Sequence, residues 1–265
     1  MTDDYRLYKG AWVYKHDPHK EQKLSRKEMK EILSKGGVML RNTYDFDCAQ
    51  ETSFWYVIKD QFGGMEELST RKRNQVRNSL KKLRFEKIDP TLIIEKGYEV
   101  YTSAADSYRI KTVIPTKQEF VDRIKNAEEN EYWGAFDLET GQLVAFSMNY
   151  VSEESAEYRT LKAIPEYMKK SYAYYGLIYE MNKYYLEDRG MRYVNDGSRT
   201  ITNHSNVQSF LIDTLRFRKA YCHIQMAYKP WLRLVVSVLF PFRKWITSQK
   251  ISAVLNQEAM ARGMI

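Results

Sequence analysis

Tyr132-Trp133-Gly134-Ala135-Phe136-Asp137, Leu143-Val144-Ala145-Phe146-Ser147-Met148-Asn149-Tyr150-Val151 and Ala156-Glu157-Tyr158-Arg159-Thr160-Leu161-Lys162-Ala163-Ile164 decide the architecture. Each run is apolar and aromatic and is bounded by turn residues. Glu139-Thr140-Gly141-Gln142 follows the first, and Ser152-Glu153-Glu154-Ser155 follows the second. That punctuation predicts three strands joined by hairpins. Pro165 stops the third strand.

Outward from these strands the pattern changes. Residues 171–188 read as a long helix with Tyr174, Leu177, Ile178, Met181 and Tyr185 inward. Residues 191–196 are a short strand ending in Gly197-Ser198. A helix at 205–215 and a long strand at 217–228 complete the run. Upstream, 94–109 is helical, and Thr116 with Glu119 forms a capping box for a helix burying Phe120 and Ile124. Antiparallel hairpins followed by a βαβ-like unit predict an α/β (α+β) mixed sheet with helices on both faces.

The N-terminal third has a Ser25/Glu28 capping box, strands at 38–44 and 53–58, and a basic helix from Ser69 or Thr70 to about Phe85. In that helix Arg73, Arg77 and Arg84 fall on one line beside the apolar stripe of Val76, Leu80 and Leu83. The line reads as a wall of a polyanion-binding cleft or as a solvated helix face. The chain divides as 1–93, an α/β region with the basic helix; 94–228, the main domain; and 229–265, a basic, apolar helical tail.

Composition narrows the functional classes. The 265 residues are 43% hydrophobic and 29% charged, which is globular, not disordered or fibrous. Two distant cysteines, Cys48 and Cys222, suit a reducing cytosol rather than a disulfide scaffold. No apolar run reaches the roughly 18 residues of a membrane span. The first residues, with Asp3 and Asp4, lack the apolar core of a signal peptide. Lys and Arg number 42 against 34 acids. The excess of eight equals the basic residues between Thr214 and Gln257, where no acid occurs. Such a segment points to phosphate, anionic lipid or nucleic acid.

Glycine-rich nucleotide loops, HExxH, paired CxxC and a nucleophile elbow do not occur in the sequence. His16-Asp17-Pro18-His19 reads as loop, and no metal site is expected. His204 and His223 have no acid partner visible in sequence. No covalent mechanism is exposed. The run Ala163-Ile164-Pro165-Glu166-Tyr167-Met168-Lys169-Lys170-Ser171-Tyr172-Ala173-Tyr174-Tyr175-Gly176 passes from a strand end into a helix start, with Ser171 as a capping residue. The free amides and positive dipole of a helix N-terminus make it a candidate phosphate site.

The order of elements from 94 to 228 resembles the GNAT acyltransferase fold, and several stretches resemble its FemAB-type peptidyltransferase branch. These are Arg71-Lys72-Arg73-Asn74-Gln75-Val76-Arg77-Asn78-Ser79-Leu80, Tyr132-Trp133-Gly134-Ala135-Phe136 with Gly141-Gln142-Leu143-Val144-Ala145, Ser171-Tyr172-Ala173-Tyr174-Tyr175-Gly176-Leu177, Arg189-Gly190-Met191-Arg192-Tyr193, Asn195-Asp196-Gly197-Ser198 and residues 210–217. The likeness covers about residues 70–228. It implies a GNAT-like fold whose N-terminal extension is a reduced first lobe. The donor would bind where the sheet splays, beside Tyr158 and Thr160, with Lys169, Lys170, Ser171 and Tyr172 at its phosphates. The resemblance also implies acyl-CoA or aminoacyl-tRNA as co-substrate, no tightly bound cofactor, and direct attack by an amine. The GNAT phosphate loop is absent and Ser-Tyr-Ala-Tyr-Tyr-Gly stands in its place, which sets CoA use apart from the fold.

Catalytic candidates are Asp196, Tyr158 and Glu157. Asp196 reads as a base, as a residue orienting one, or as a turn aspartate before Gly197. Glu157 and Tyr158 point to opposite faces of their strand, so only one reaches the cleft. Arg73, Arg77 and Arg84 are the candidate substrate-phosphate ligands. The expected activity is transfer of an acyl or aminoacyl group to an amine on a cell-envelope or amino-sugar precursor. The alternative is a non-catalytic RNA-binding or scaffold protein. Residues 229–250 are expected either to dock on an anionic membrane at the inner face of the cytoplasmic membrane, or to pack as a buried hairpin or dimer contact.

Overall fold

A computed structural model describes residues 2–106, 113–127, 129–200 and 207–264. In chain order the strands and helices are β1 (Tyr5–Tyr8), β2 (Ala11–Tyr14), α1 (Arg26–Ser34), β3 (Met39–Tyr44), β4 (Phe54–Lys59), α2 (Thr70–Lys82), β5 (Leu83–Ile88), α3 (Pro90–Leu92) and α4 (Tyr98–Asp106). They continue with α5 (Lys117–Lys125), β6 (Asn130–Asp137), β7 (Leu143–Val151), β8 (Ser155–Ala163), α6 (Pro165–Lys170), α7 (Ala173–Asn182) and β9 (Tyr193–Ser198). The last are α8 (Val207–Leu215), β10 (Arg218–Tyr228), α9 (Pro230–Leu239) and α10 (Gln249–Ala261). Two compact units result: residues 1–56 with 198–205 and 219–265, and residues 57–197 with 206–218. These cuts differ from the boundaries at 93 and 228. The N-terminal strands share their unit with β10 and the tail, because β3 pairs with β10.

In the larger unit the strand order is β9-β8-β7-β6-β5. The three strands read from sequence form the expected antiparallel ladders. One face buries Phe146, Met148, Tyr132 and Phe136 against Ile93, Val100, Phe120 and Ile124. Towards the other face lie Leu177, Met181 and Tyr185, all with no exposed surface; Tyr185 reaches Asn149 and Trp133 through its hydroxyl. The Thr116/Glu119 capping box is present. The predicted helix at 94–109 is observed as a π-helical stretch, Ile93–Gly97, followed by α4; its end beyond 106 lies outside the described residues, as does the start of the helix predicted from 205.

The expected basic helix is shorter than its periodicity suggests. α2 ends at Lys82, and Leu83 is already extended (φ −126°, ψ 144°). Residues 83–88 then pair with β6 from Leu83↔Asp137 to Ile88↔Tyr132. A full antiparallel ladder outweighs the modest helix propensity of Leu83 and Arg84. The helix expected over 171–188 is also divided. Pro165 opens the short α6, where the missing amide costs nothing. Tyr172 adopts a left-handed conformation (φ 52°, ψ 43°) before α7, and a π-helical segment, Lys183–Asp188, follows α7.

In the smaller unit the order is β1-β2-β3-β10. The β1–β2 hairpin lacks a period-2 apolar signal in its sequence. It is held by Tyr5, which packs with Ile32, Leu33 and Leu40 and donates to Asn42 at 2.5 Å. The Ser25/Glu28 capping box is observed at α1.

Candidate active site

The strand pair β8–β9 creates the site. β8 and β9 run parallel through only three partners: Ser155↔Tyr193, Ala156↔Val194 and Glu157↔Asn195. β8 continues to Ala163, but its ladder with β9 stops there. The register against β7 shifts at the same place, with Met148↔Thr160 followed by Asn149↔Tyr158. Arg159 is therefore the extra residue of a bulge. A bulge bends its strand and ends regular pairing, so β8 and β9 part just beyond Glu157. A splay of parallel strands exposes backbone at a fixed, rigid place.

Asp196 stands at this opening, one residue past the last paired position. Burial pushes its carboxyl up to about 7; Gln208 of α8 opposes the rise by hydrogen bonding, and the Glu157 charge adds to it. Glu157 lies across the opening, with its Oε1 3.6 Å from where a Cβ on Gly197 would sit. Its Oε2 accepts from Arg159 Nε at 2.7 Å, and the Arg159 guanidinium lies 4.0 Å from the centre of the Tyr150 ring. Two carboxylates thus meet at the splay in unlike surroundings. One is matched by a cation, and the other is held near neutrality, as a general base requires. Asn195 fixes the backbone beneath them, accepting from Gly197 N at 3.0 Å.

Tyr158 is on the opposite face. It is 3% exposed, donates to Asn182 Oδ1 at 2.9 Å, and burial holds its phenol well above the ordinary value. That hydroxyl is turned to α7, on the side of β8 away from Glu157. Thr160 lies on β8 beyond the bulge, half-buried.

The residues expected at the donor phosphates, Lys169 to Tyr172, fall at the end of α6 and the start of α7. Ser171 is the C-cap of α6 and not the N-cap of α7: its amide closes α6 onto Tyr167 O at 3.1 Å, and its side chain is buried. Lys169 is exposed, and Lys170 is paired with Glu166 at 2.5 Å, which raises its pKa. The start of α7 is set by Tyr172, whose carbonyl accepts from Tyr175 N at 2.8 Å and from Ser79 Oγ of α2 at 3.0 Å. Lys82 Nζ reaches Lys170 O at 3.0 Å. Gly176 lets the two helices meet: a Cβ there would fall 2.3 Å from Phe85 Cζ and 2.6 Å from Ser79 Oγ.

The three expected arginines do not form a line. Arg84 is on β5, where it pairs with Glu86 and lies over the Phe136 ring. Arg73 donates to Leu68 O at 3.2 Å and sits 3.6 Å from Glu66. Arg77 alone of the three is an exposed residue of α2. Another side of α2 makes the cleft. Thr70, Arg71, Asn74, Gln75, Asn78 and Tyr172 line a groove of about 560 Å³. Gln75 Oε1 and Asn78 Oδ1 are buried there with no donor among the described residues. Asn74, Gln75 and Asn78 share one helix side by spacing, a signal visible in sequence but masked by the surrounding charges.

His204 lies outside the described residues, and His223 stacks on Tyr44 at 5.1 Å. Among the described residues no group of His, Cys, Asp and Glu is placed to hold a metal ion.

No family model and no curated protein sequence matches the chain. Solved structures do. FemX superposes with a TM-score of 0.58 at 10% identity, covering 79% of this chain and 77% of that one. The C-terminal domain of a putative lysylphosphatidylglycerol synthetase from Agrobacterium fabrum gives 0.49 at 10% identity over 89% and 84%. The PaiA N-acetyltransferase of Thermoplasma acidophilum, in complex with coenzyme A, gives 0.33 at 18% identity over 41% and 74%. Only the first superposes closely enough to argue from, and at its identity it speaks to fold alone. It shows that the chain has the mixed α/β fold seen in FemX.

Proposed function

We propose that the chain is a transferase that moves an acyl or aminoacyl group from acyl-CoA or aminoacyl-tRNA to an amine. The observation that carries this reading is the splay of β8 and β9 with Asp196, titrating at about 7, at its mouth. A donor carbonyl held at the opened backbone would lie beside a base able to take the amine's proton at neutral pH. Nitrogen attacks the carbonyl, the C–N bond forms, and the C–S or C–O bond of the donor breaks. Asp196 takes the proton released by the amine and passes it to the leaving thiolate or alkoxide, so the step balances and the carboxylate is regenerated without a protein nucleophile.

The groove beside α2 supports a donor or acceptor rich in phosphate and hydrogen-bond donors. Arg71 supplies a bidentate fork, and Gln75 and Asn78 supply unfilled acceptors. An aminoacyl-tRNA end has both features. Titration calorimetry with acetyl-CoA, charged tRNA and uncharged tRNA, followed by mass spectrometry of amine products, tests the reading. Preference for one acylated donor with product formation supports it. Equal binding of any RNA without turnover leaves the non-catalytic RNA-binding reading in its place.

A further inference from the structure

The helix α9 is apolar on two sides, and the fold buries only one of them. Leu232, Val236, Leu239 and Phe240 turn inward onto Leu255 and Ala259 of α10. Trp231, Leu234, Val235 and Val238 form a separate stripe at helical spacing and are 56%, 67%, 41% and 57% exposed. The following turn adds Phe242 and Trp245 at 50% and 78%. Scattered apolar residues on a surface need no explanation, but a contiguous set of six marks a docking face.

Charge identifies what covers it. Lys229 and Arg233 stand beside Leu234, Arg243, Lys244 and Lys250 follow the stripe in sequence, and no acid occurs between Asp213 and Glu258. A two-fold contact between copies would set this basic rim against itself. An anionic bilayer instead offers an apolar interior beneath a negative surface, which matches both parts of the face. Beside the stripe, between α1 and α9, runs a groove of about 680 Å³ where Lys30, Lys229 and Arg233 stand among Leu33, Tyr228 and Leu234. Cations set in an apolar trough suit a phospholipid headgroup. Trp231 and Trp245 stand at either end of the segment, and tryptophan favours headgroup depth.

We propose that α9 and the turn after it lie flat on an anionic membrane surface, with Trp231, Leu234, Val235, Val238, Phe242 and Trp245 inserted and the basic rim at the headgroups. Shallow apolar insertion and attraction to anionic lipid reinforce each other in such a segment. Among the described residues no helix is long and apolar enough to cross a membrane. The inference goes beyond the transferase reading and stands independently of it.

Co-sedimentation of the full chain with vesicles tests it without any measure of activity. With phosphatidylcholine vesicles containing about one-third phosphatidylglycerol, at low salt, binding is expected to be at least tenfold above that to pure phosphatidylcholine, and to fall as salt rises. Leu234→Glu/Val238→Glu and, separately, Lys244→Glu/Lys250→Glu are each expected to reduce binding about tenfold. Both pairs are exposed, and unchanged thermal melts confirm that the variants fold. The proposal is overturned if the full chain stays in the supernatant with anionic vesicles at low salt, or binds neutral vesicles equally. It is also overturned if the chain proves to be a dimer that Leu234→Glu/Val238→Glu dissociates, with no vesicle binding.

Discussion

Asp196 and Glu157 share one opening in unlike surroundings. Asp196 is raised chiefly by burial, with Glu157 contributing a smaller push in the same direction. A base must be deprotonated to act, so transfer should rise with pH through about 7. Asp196→Asn should lower kcat by about 100-fold or more, the usual scale for losing a general base. Glu157→Gln removes a negative neighbour, lowers the Asp196 pKa, and should shift the rising limb to lower pH. If the limb belongs instead to the amine substrate, Glu157→Gln leaves it in place, which a rate–pH profile shows directly. At this scale the sequence was partly legible. Asp196 was a candidate from its place at a strand end, while strand parity left Glu157 and Tyr158 open. Gln208, Arg159, Gln75 and Asn78 did not, because their roles depend on a bulge and on groove walls that no local pattern encodes.

The approach of α2 to α7 depends on one missing side chain. Gly176 faces Phe85 and Ser79 so closely that any Cβ collides with both. Gly176→Ala should therefore destabilise the protein by about 1–3 kcal/mol, the range for overpacking a close contact, despite alanine's better helix propensity. A denaturant melt reads the loss. It should also weaken donor binding, since Tyr172 in its left-handed conformation is anchored to Ser79 across the same contact. Element boundaries were legible where a cap or a strong period marked them, as at Ser25, Thr116 and the three central strands. They were misread where two signals competed. Leu83 to Phe85 continue a helical stripe on paper, but β6 offers residues 83–88 a ladder that the helix cannot match. The line of Arg73, Arg77 and Arg84 vanished with that extension.

For the molecule as a whole, stability should depend on pH through buried acids in both units. Glu21 is 5% exposed; burial pushes it up to about 7, against hydrogen bonds from Thr43 and the charge of Arg41. Its folded pKa exceeds its unfolded one, so the folded state holds a proton that the unfolded state releases. Stability is then fully present below about pH 4.5 and declines as pH rises to about 7, by a few kcal/mol at most: a shift from 4.5 to about 7 converts to about 3 kcal/mol. Glu21→Gln keeps an acceptor for Thr43 and should flatten that decline; thermal melts at pH 5 and pH 8 measure it. Asp196 adds a decline of the same sign, so Asp196→Asn should gain stability above pH 7 while losing activity.

If a carboxylate at the β8–β9 splay activates an amine for transfer, the rate must follow its protonation. The most direct test is the pH dependence of amine acylation from charged tRNA and from acyl-CoA, measured in parallel for the wild type and Asp196→Asn. Turnover with one of these donors is expected, with a rise centred near pH 7 and loss of that limb in the folded variant. Product formation by Asp196→Asn at the wild-type rate and with the wild-type pH profile would contradict it.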